Sequence, residues 1–204
     1  STLMRSSAAS DVYKRQVVDT DTYLNGIWEY GYKVADNAAR IIDAVPALYE
    51  TATSEEKAEL DLYMAEAYAL RGYAQLVLAN VFSHQAKVNG TDFSSEPGIV
   101  VIDKPIAAFE EVSRATVGQS YEAILNDLTN AISHFEAAGG DRGELQYLGQ
   151  AATYGLLARA NLYLENWDVA MQNAQKALDI AGISTLTYGK DAYKALYNLS
   201  LIHI

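Results

Sequence analysis

Residues 151–179 read AATYGLLARANLYLENWDVAMQNAQKALD, and the spacing of large and small side chains in this stretch decides the fold. Its apolar residues keep a helical period rather than the alternation of a half-buried strand, so it reads as two helices. Tyr154, Leu157, Ala158, Trp167, Ala170, Ala177 and Leu178 fall on a large-small pattern. Small residues let two antiparallel helices approach, and large ones fill the groove between them.

That is the pattern of a tetratricopeptide unit. Asn161 and Ala174 depart from it, at places where an aromatic is usual. Working back along the chain, AEAYALRGYAQLVLANVF (65–82) repeats the logic of the first helix, and Tyr121, Ile124, Leu128 and Ala131 take the places of the second. A helix over about 22–44 precedes both, with a stripe of Ile27, Gly31, Val34, Ala38, Ile41 and Val45, and ends near Pro46. Its apolar face needs a partner, as the remnant of another unit would. The expected fold is therefore all-α, with tetratricopeptide-like antiparallel helix pairs.

Two capping boxes mark where helices start. Thr53 with Glu56 opens a long helix striped by Leu60, Met64, Ala67, Leu70, Ala74, Leu78 and Val81, and Thr116 with Gln119 opens another striped by Tyr121, Ile124, Leu128, Ile132 and Phe135. Between them, residues 83–115 read SHQAKVNGTDFSSEPGIVVIDKPIAAFEEVSRA. This insertion is rich in Gly, Ser, Asp and Pro, with one β-like run at Ile99–Ile102. A connection this long inside a helical domain is usually functional or mobile. AAGGDRGE (137–144) is a turn and not a phosphate cradle, since it lacks the lysine of a P-loop and follows no strand.

The two ends do not fit what lies beside them. Asp11–Gln16, back-translated as GAT GTG TAT AAG AGA CAG, has the reverse complement CTG TCT CTT ATA CAC ATC, which encodes Leu199–Ile204 without a mismatch. Those bases resemble the transposase mosaic end used to tag sequencing libraries, and Ser6–Ser10 matches its read-primer extension. Residues 1–16 and 199–204 are therefore expected to be adapter-derived and not native, leaving 17–198 as a partial domain cut from a longer gene.

The whole chain carries a formal charge of −11, and setting aside Arg5, Asp11, Lys14 and Arg15 takes it to −13. An acidic surface with no Lys/Arg cluster repels phosphate backbones, so nucleic acid is not an expected partner. Cysteine is absent, which removes disulfides and thiolate metal sites from this stretch. No run approaches the ~20 apolar residues that span a bilayer.

Three motifs in order, EAYALRGYAQLVLANVF (66–82), RATVGQSYEAILNDLTNAI (114–132) and ATYGLLARANLYLENWDVAMQNAQKAL (152–178), with the insertion after the first, resemble the SusD/RagB family of Bacteroidetes surface lipoproteins. The resemblance covers about 28–181. It implies a helical scaffold supporting an irregular ligand-binding portion, much of whose diversity lies in a C-terminal half beyond this stretch. It also implies a lipid anchor in the outer membrane, on a cysteine outside this stretch, and a SusC-like TonB-dependent transporter as partner. Oligosaccharides or peptides are the implied ligands, bound without catalysis and without a cofactor.

Sugar rings stack their CH faces on aromatic rings and need amide, carboxylate or guanidinium partners for their hydroxyls. In the family such contacts come partly from the segment leading into the first helix, here DTDTYLNGIWEY (19–30). Asp21, Tyr23, Asn25 and Trp28 are the candidates there, and Phe93 is a fifth, inside the insertion. Against a site, Trp28 and Tyr30 could pack helix to helix, Asn25 could cap, and Phe93 could anchor its own loop. Tyr63, Tyr68, Tyr73, Tyr121, Tyr154 and Tyr163 lie in helical stretches and are expected to fill grooves between helices.

Catalytic readings find little support. His84 and His134 have no ligand-spaced partner and are expected at the surface. Glu55, Glu56, Glu59 and Asp61 cluster at a helix start, where the helix dipole favours them. No nucleophile elbow occurs, and no carboxylate pair stands out as a glycosidase would require. A generic tetratricopeptide adaptor remains the alternative, though it would have tandem 34-residue units without a long interruption. A helical-toroid glycoside hydrolase ranks last.

Overall fold

The computed structural model describes residues 21–144 and 146–182. Five helices make up this region: α1 (Thr22–Ala44), α2 (Ser54–Phe82), α3 (Val117–Ala138), α4 (Gln150–Tyr163) and α5 (Trp167–Ile180). A small antiparallel hairpin, β1 (Lys87–Val88) with β2 (Thr91–Asp92), is the only sheet among the described residues. The all-α expectation holds. The adapter-like stretches 1–16 and 199–204 lie outside the described residues.

The ends of the helices follow local chemistry. Pro46 sits in a 3-10 turn, Val45–Leu48, that closes α1. Thr53 and Glu56 make a reciprocal capping box on α2, and Thr116 and Gln119 make one on α3. α3 ends at Gly139, whose φ of +84° is the left-handed conformation that suits glycine.

Each helix packs on its neighbours in sequence, so the array is a series of antiparallel pairs. The main core joins Leu76 and Leu78 of α2, Tyr121, Ile124 and Leu128 of α3, and Leu157 and Ala160 of α4. α2 differs from the single stripe expected of it. Leu70 and Val81 are exposed, whereas Ala65, Ala69, Leu76 and Ala79 are buried. The reason is that α1 covers one side of α2 and α3 the other, so a helix packed on two faces cannot show one apolar stripe.

The insertion is bound tightly to this scaffold. Ile99–Ile102 has no regular secondary structure, contrary to its β-like composition. Backbone bonds with Ala115 tie Gly98 and the Ile99 carbonyl, and side chains from three helices accept the N–H groups of Ile99, Val100 and Ile102. Ile99 N–H donates to Ser120 Oγ of α3 at 3.1 Å, Val100 N–H to Tyr32 Oη of α1 at 3.1 Å, and Ile102 N–H to Gln75 Oε1 of α2 at 2.9 Å. Ile99 and Ile102 are themselves buried, one against the main core and the other against Ala35, Ala39 and Ala74. An unmade bond at a buried N–H costs about 1–3 kcal/mol, so three polar side chains placed this way let the segment lie in the core without a ladder.

A charged network locks the same region. Arg71 of α2 donates to both oxygens of Asp127 on α3, at 2.9 and 2.6 Å, and its third nitrogen donates to the carbonyl of Asp103 in the insertion at 2.8 Å. Gln75 Nε2 donates to Asp127 as well, at 3.1 Å. Burial pushes the Asp127 carboxyl up, and the donors from Arg71 and Gln75 pull it back down. Every polar atom of the network has a partner, which is the condition under which buried charge is tolerated.

Other sequence expectations divide. Tyr121 and Tyr154 are buried, but Tyr63 and Tyr73 are exposed, Tyr63 at a pocket shared with α1 and beneath the Arg142 guanidinium. His84 is exposed. His134 is not: it is half-buried, with Nδ1 2.7 Å from Asp61 Oδ1 and its ring stacked on Tyr68. Asn161, where an aromatic is usual, is buried and donates to Leu157 O, while Asn166 across the turn donates to its side-chain oxygen.

Candidate functional site

The first turns of α1, the end of α2 and the insertion meet around Trp28. Its ring makes edge contacts with Tyr32, one turn on, at 4.8 Å between centroids, and with Phe82 at the end of α2, at 5.0 Å. A pocket of about 470 Å³ opens beside it, lined by Trp28, Glu29, Tyr32 and Asp36 of α1 and by Val100, Ile102, Ile106 and Val112 of the insertion. Trp28 keeps 40% of its surface exposed, so its ring is available to a ligand.

Each wall has a local cause. Tyr32 is held by the Val100 N–H it accepts, and burial raises its phenol above the usual range, so it stays a neutral hydroxyl. Asp36 accepts from Ile106 N–H at 2.9 Å and from Arg40 Nε at 2.9 Å, which fixes the insertion over the pocket. Glu29 is exposed at the rim. Together these groups offer aromatic and aliphatic surface with a few carboxylate and hydroxyl acceptors, a lining suited to a ring that has one apolar face and polar edges.

The five candidates from sequence occupy different positions. Asp21 is the N-cap of α1, and its Oδ1 accepts from Tyr23 and Leu24 N–H at 2.9 and 3.0 Å. Asn25 is exposed, and at helical spacing it shares the face of Asp21, Trp28 and Tyr32. Tyr23 is 84% exposed but is off that face, and it does not line the pocket. Phe93 stacks in parallel on His84, 5.4 Å between centroids, and its N–H donates to Ala86 O. Trp28 alone of the five lines the pocket. Tyr32, Asp36, Val100 and Ile106 were not singled out, because only the folding back of the insertion brings them together.

Aromatic rings and acceptors thus line a pocket on a helical-repeat scaffold. A family model described as starch-binding associating with outer membrane, SusD-like, matches residues 1–164. The chain belongs to this SusD-like family. No curated protein matches the sequence.

Solved structures share its fold. A SusD superfamily protein from Bacteroides thetaiotaomicron superposes with a TM-score of 0.67 at 24% identity, over 81% of this chain and 34% of its own. A SusD-like carbohydrate-binding protein from Bacteroides vulgatus gives 0.64 at 22% identity, over 83% and 33%. A laminarin-binding SusD-like protein gives 0.57 at 17% identity, over 74% and 29%. The chain thus spans about a third of the length of these structures.

Proposed function

We propose that this chain is the helical-repeat portion of a cell-surface protein that captures oligosaccharides, or peptides, and hands them to a SusC-like TonB-dependent transporter. It acts without catalysis and without a cofactor, anchored in the outer membrane by a lipid. The observation that carries the glycan reading is the Trp28 pocket, in a chain whose family is described as starch-binding. Laminarin binding by a protein of similar fold agrees with that reading.

In this reading Trp28 supplies the stacking face, with Tyr32 at its edge. Asn25, one turn earlier on the same face, and Glu29 at the rim take ring hydroxyls. The second oxygen of Asp21 and the exposed Tyr23 extend the contact surface at the start of α1, and Phe93 lies beyond Phe82 on the insertion side. Trp28→Ala is expected to weaken glycan binding about tenfold or more, by removing a stacked ring and its buried area. Calorimetric titration with starch- and laminarin-derived oligosaccharides checks this, and unchanged affinity would remove the pocket from the site.

A further inference from the structure

A second cavity lies on the other side of the aromatic wall. Trp28 lines the first pocket, and Phe82, in edge contact with it, lines a cavity of about 540 Å³ together with Ser83, His84, Glu96, Pro97 and Arg114. The two cavities follow the same pair of insertion segments: Pro97 and Val100 on one, Arg114 and Val112 on the other.

The chemistry of this cavity is built in. Arg114 is held by two carbonyls, Gly98 O to its Nε and Phe82 O to one terminal nitrogen, which leaves N–H donors of the guanidinium open. No carboxylate pairs with Arg114 among the described residues. Glu96 is exposed in the same cavity. The parallel His84–Phe93 stack places a flat, exposed imidazole at the edge. The site therefore offers a fixed donor fork, an acceptor and a flat ring, and its two charges cancel.

We infer that this cavity is a second sugar subsite, taking an uncharged ring of an oligosaccharide that continues past the Trp28–Phe82 wall. The inference rests on the proposed glycan function and deepens it. A hydroxyl both donates and accepts, so a ring carrying several of them satisfies Arg114 and Glu96 together. A uronate would pair with Arg114 but set its charge against Glu96, and an anionic ring is accordingly the poorer ligand. Pro97 lines one cavity and Val100 and Ile102 line the other, so five residue steps of chain, at most roughly 17 Å at about 3.3 Å per residue, separate them. A ligand filling both cavities is therefore an oligosaccharide, and a disaccharide fills one.

The test is a calorimetric titration of the full chain and its variants with maltose, maltohexaose, laminaribiose and laminarihexaose. His84→Ala and Glu96→Gln alter exposed groups that tie no helix down. Each is expected to lower the affinity for whichever hexasaccharide binds by about five- to tenfold and to leave its disaccharide unchanged, whereas Trp28→Ala weakens both. Hexasaccharide affinity unchanged in His84→Ala and Glu96→Gln, with Trp28→Ala still impaired, would overturn the second subsite and keep the first. Equal losses for disaccharide and hexasaccharide in those two variants would overturn the two-part site. Failure of all four sugars to bind the unaltered chain would overturn the glycan reading and the subsite with it.

Discussion

Ile99 and Ile102, in a stretch with no regular secondary structure, are buried as deeply as the centres of α2 and α3, whereas α5, a regular helix, buries only Ala170. Trp167 and Met171 of α5 are 60% and 66% exposed. The difference teaches that backbone regularity and tertiary burial are separate quantities in this chain. α5 makes its hydrogen bonds internally and can form with little cover. The insertion has only a two-residue hairpin and a few backbone bonds to Ala115 of its own, so residues 99–106 are also held by Ser120, Tyr32, Gln75, Asp36 and Arg71, all of them side chains reaching from helices. Those same bonds set the shape of the Trp28 pocket.

The sharpest way to break this contrast is at Arg71. Arg71→Ala leaves Asp127 buried without its partner and frees the Asp103 carbonyl, and is expected to cost about 3–5 kcal/mol. Urea denaturation measures the loss, and amide exchange should show residues 99–106 opening first. A loss below about 1 kcal/mol would mean that the network does not hold the insertion.

Gly98→Ala comes next. A Cβ there would collide with Ser120 Oγ and with the Thr116 carbonyl, so the insertion must shift away from α3. Overpacking of this kind costs about 1–3 kcal/mol. The variant should also lose glycan affinity, through the pocket walls, if the insertion builds the site.

The smallest effect is expected on the other side of the comparison. Trp167→Ala removes a large ring that is mostly in solvent, and the change should stay within about 0.5 kcal/mol. A loss of several kcal/mol would show that α5 is covered by something in the folded protein.

The sequence made some of this legible and hid the rest for physical reasons. Helix starts at Thr53 and Thr116 and the stop at Pro46 depend on contacts three or four residues apart, and they were readable. The run Ile99–Ile102 looked like a strand because its residues suit a pleated, buried surface. Its partners, Gln75, Tyr32 and Ser120, stand 21 to 68 residues away and leave no local mark. The stripe assigned to α2 failed because two neighbours, not one, press on it. Trp28 could be picked out as an aromatic beside polar residues at the start of α1, while Tyr32 and Asp36 read as ordinary helix positions until the insertion folds over them. Phe93, readable either as a ligand contact or as the anchor of its loop, stacks on His84.

The most direct test of the account is an NMR titration of the chain with maltohexaose and laminarihexaose, following the Trp28 indole N–H and the backbone amides. The account predicts that a bound hexasaccharide shifts Trp28, Tyr32 and residues 96–106 and leaves α4 and α5 unmoved. Shifts concentrated along the groove of α3, α4 and α5, or no shifts with either sugar, would contradict it.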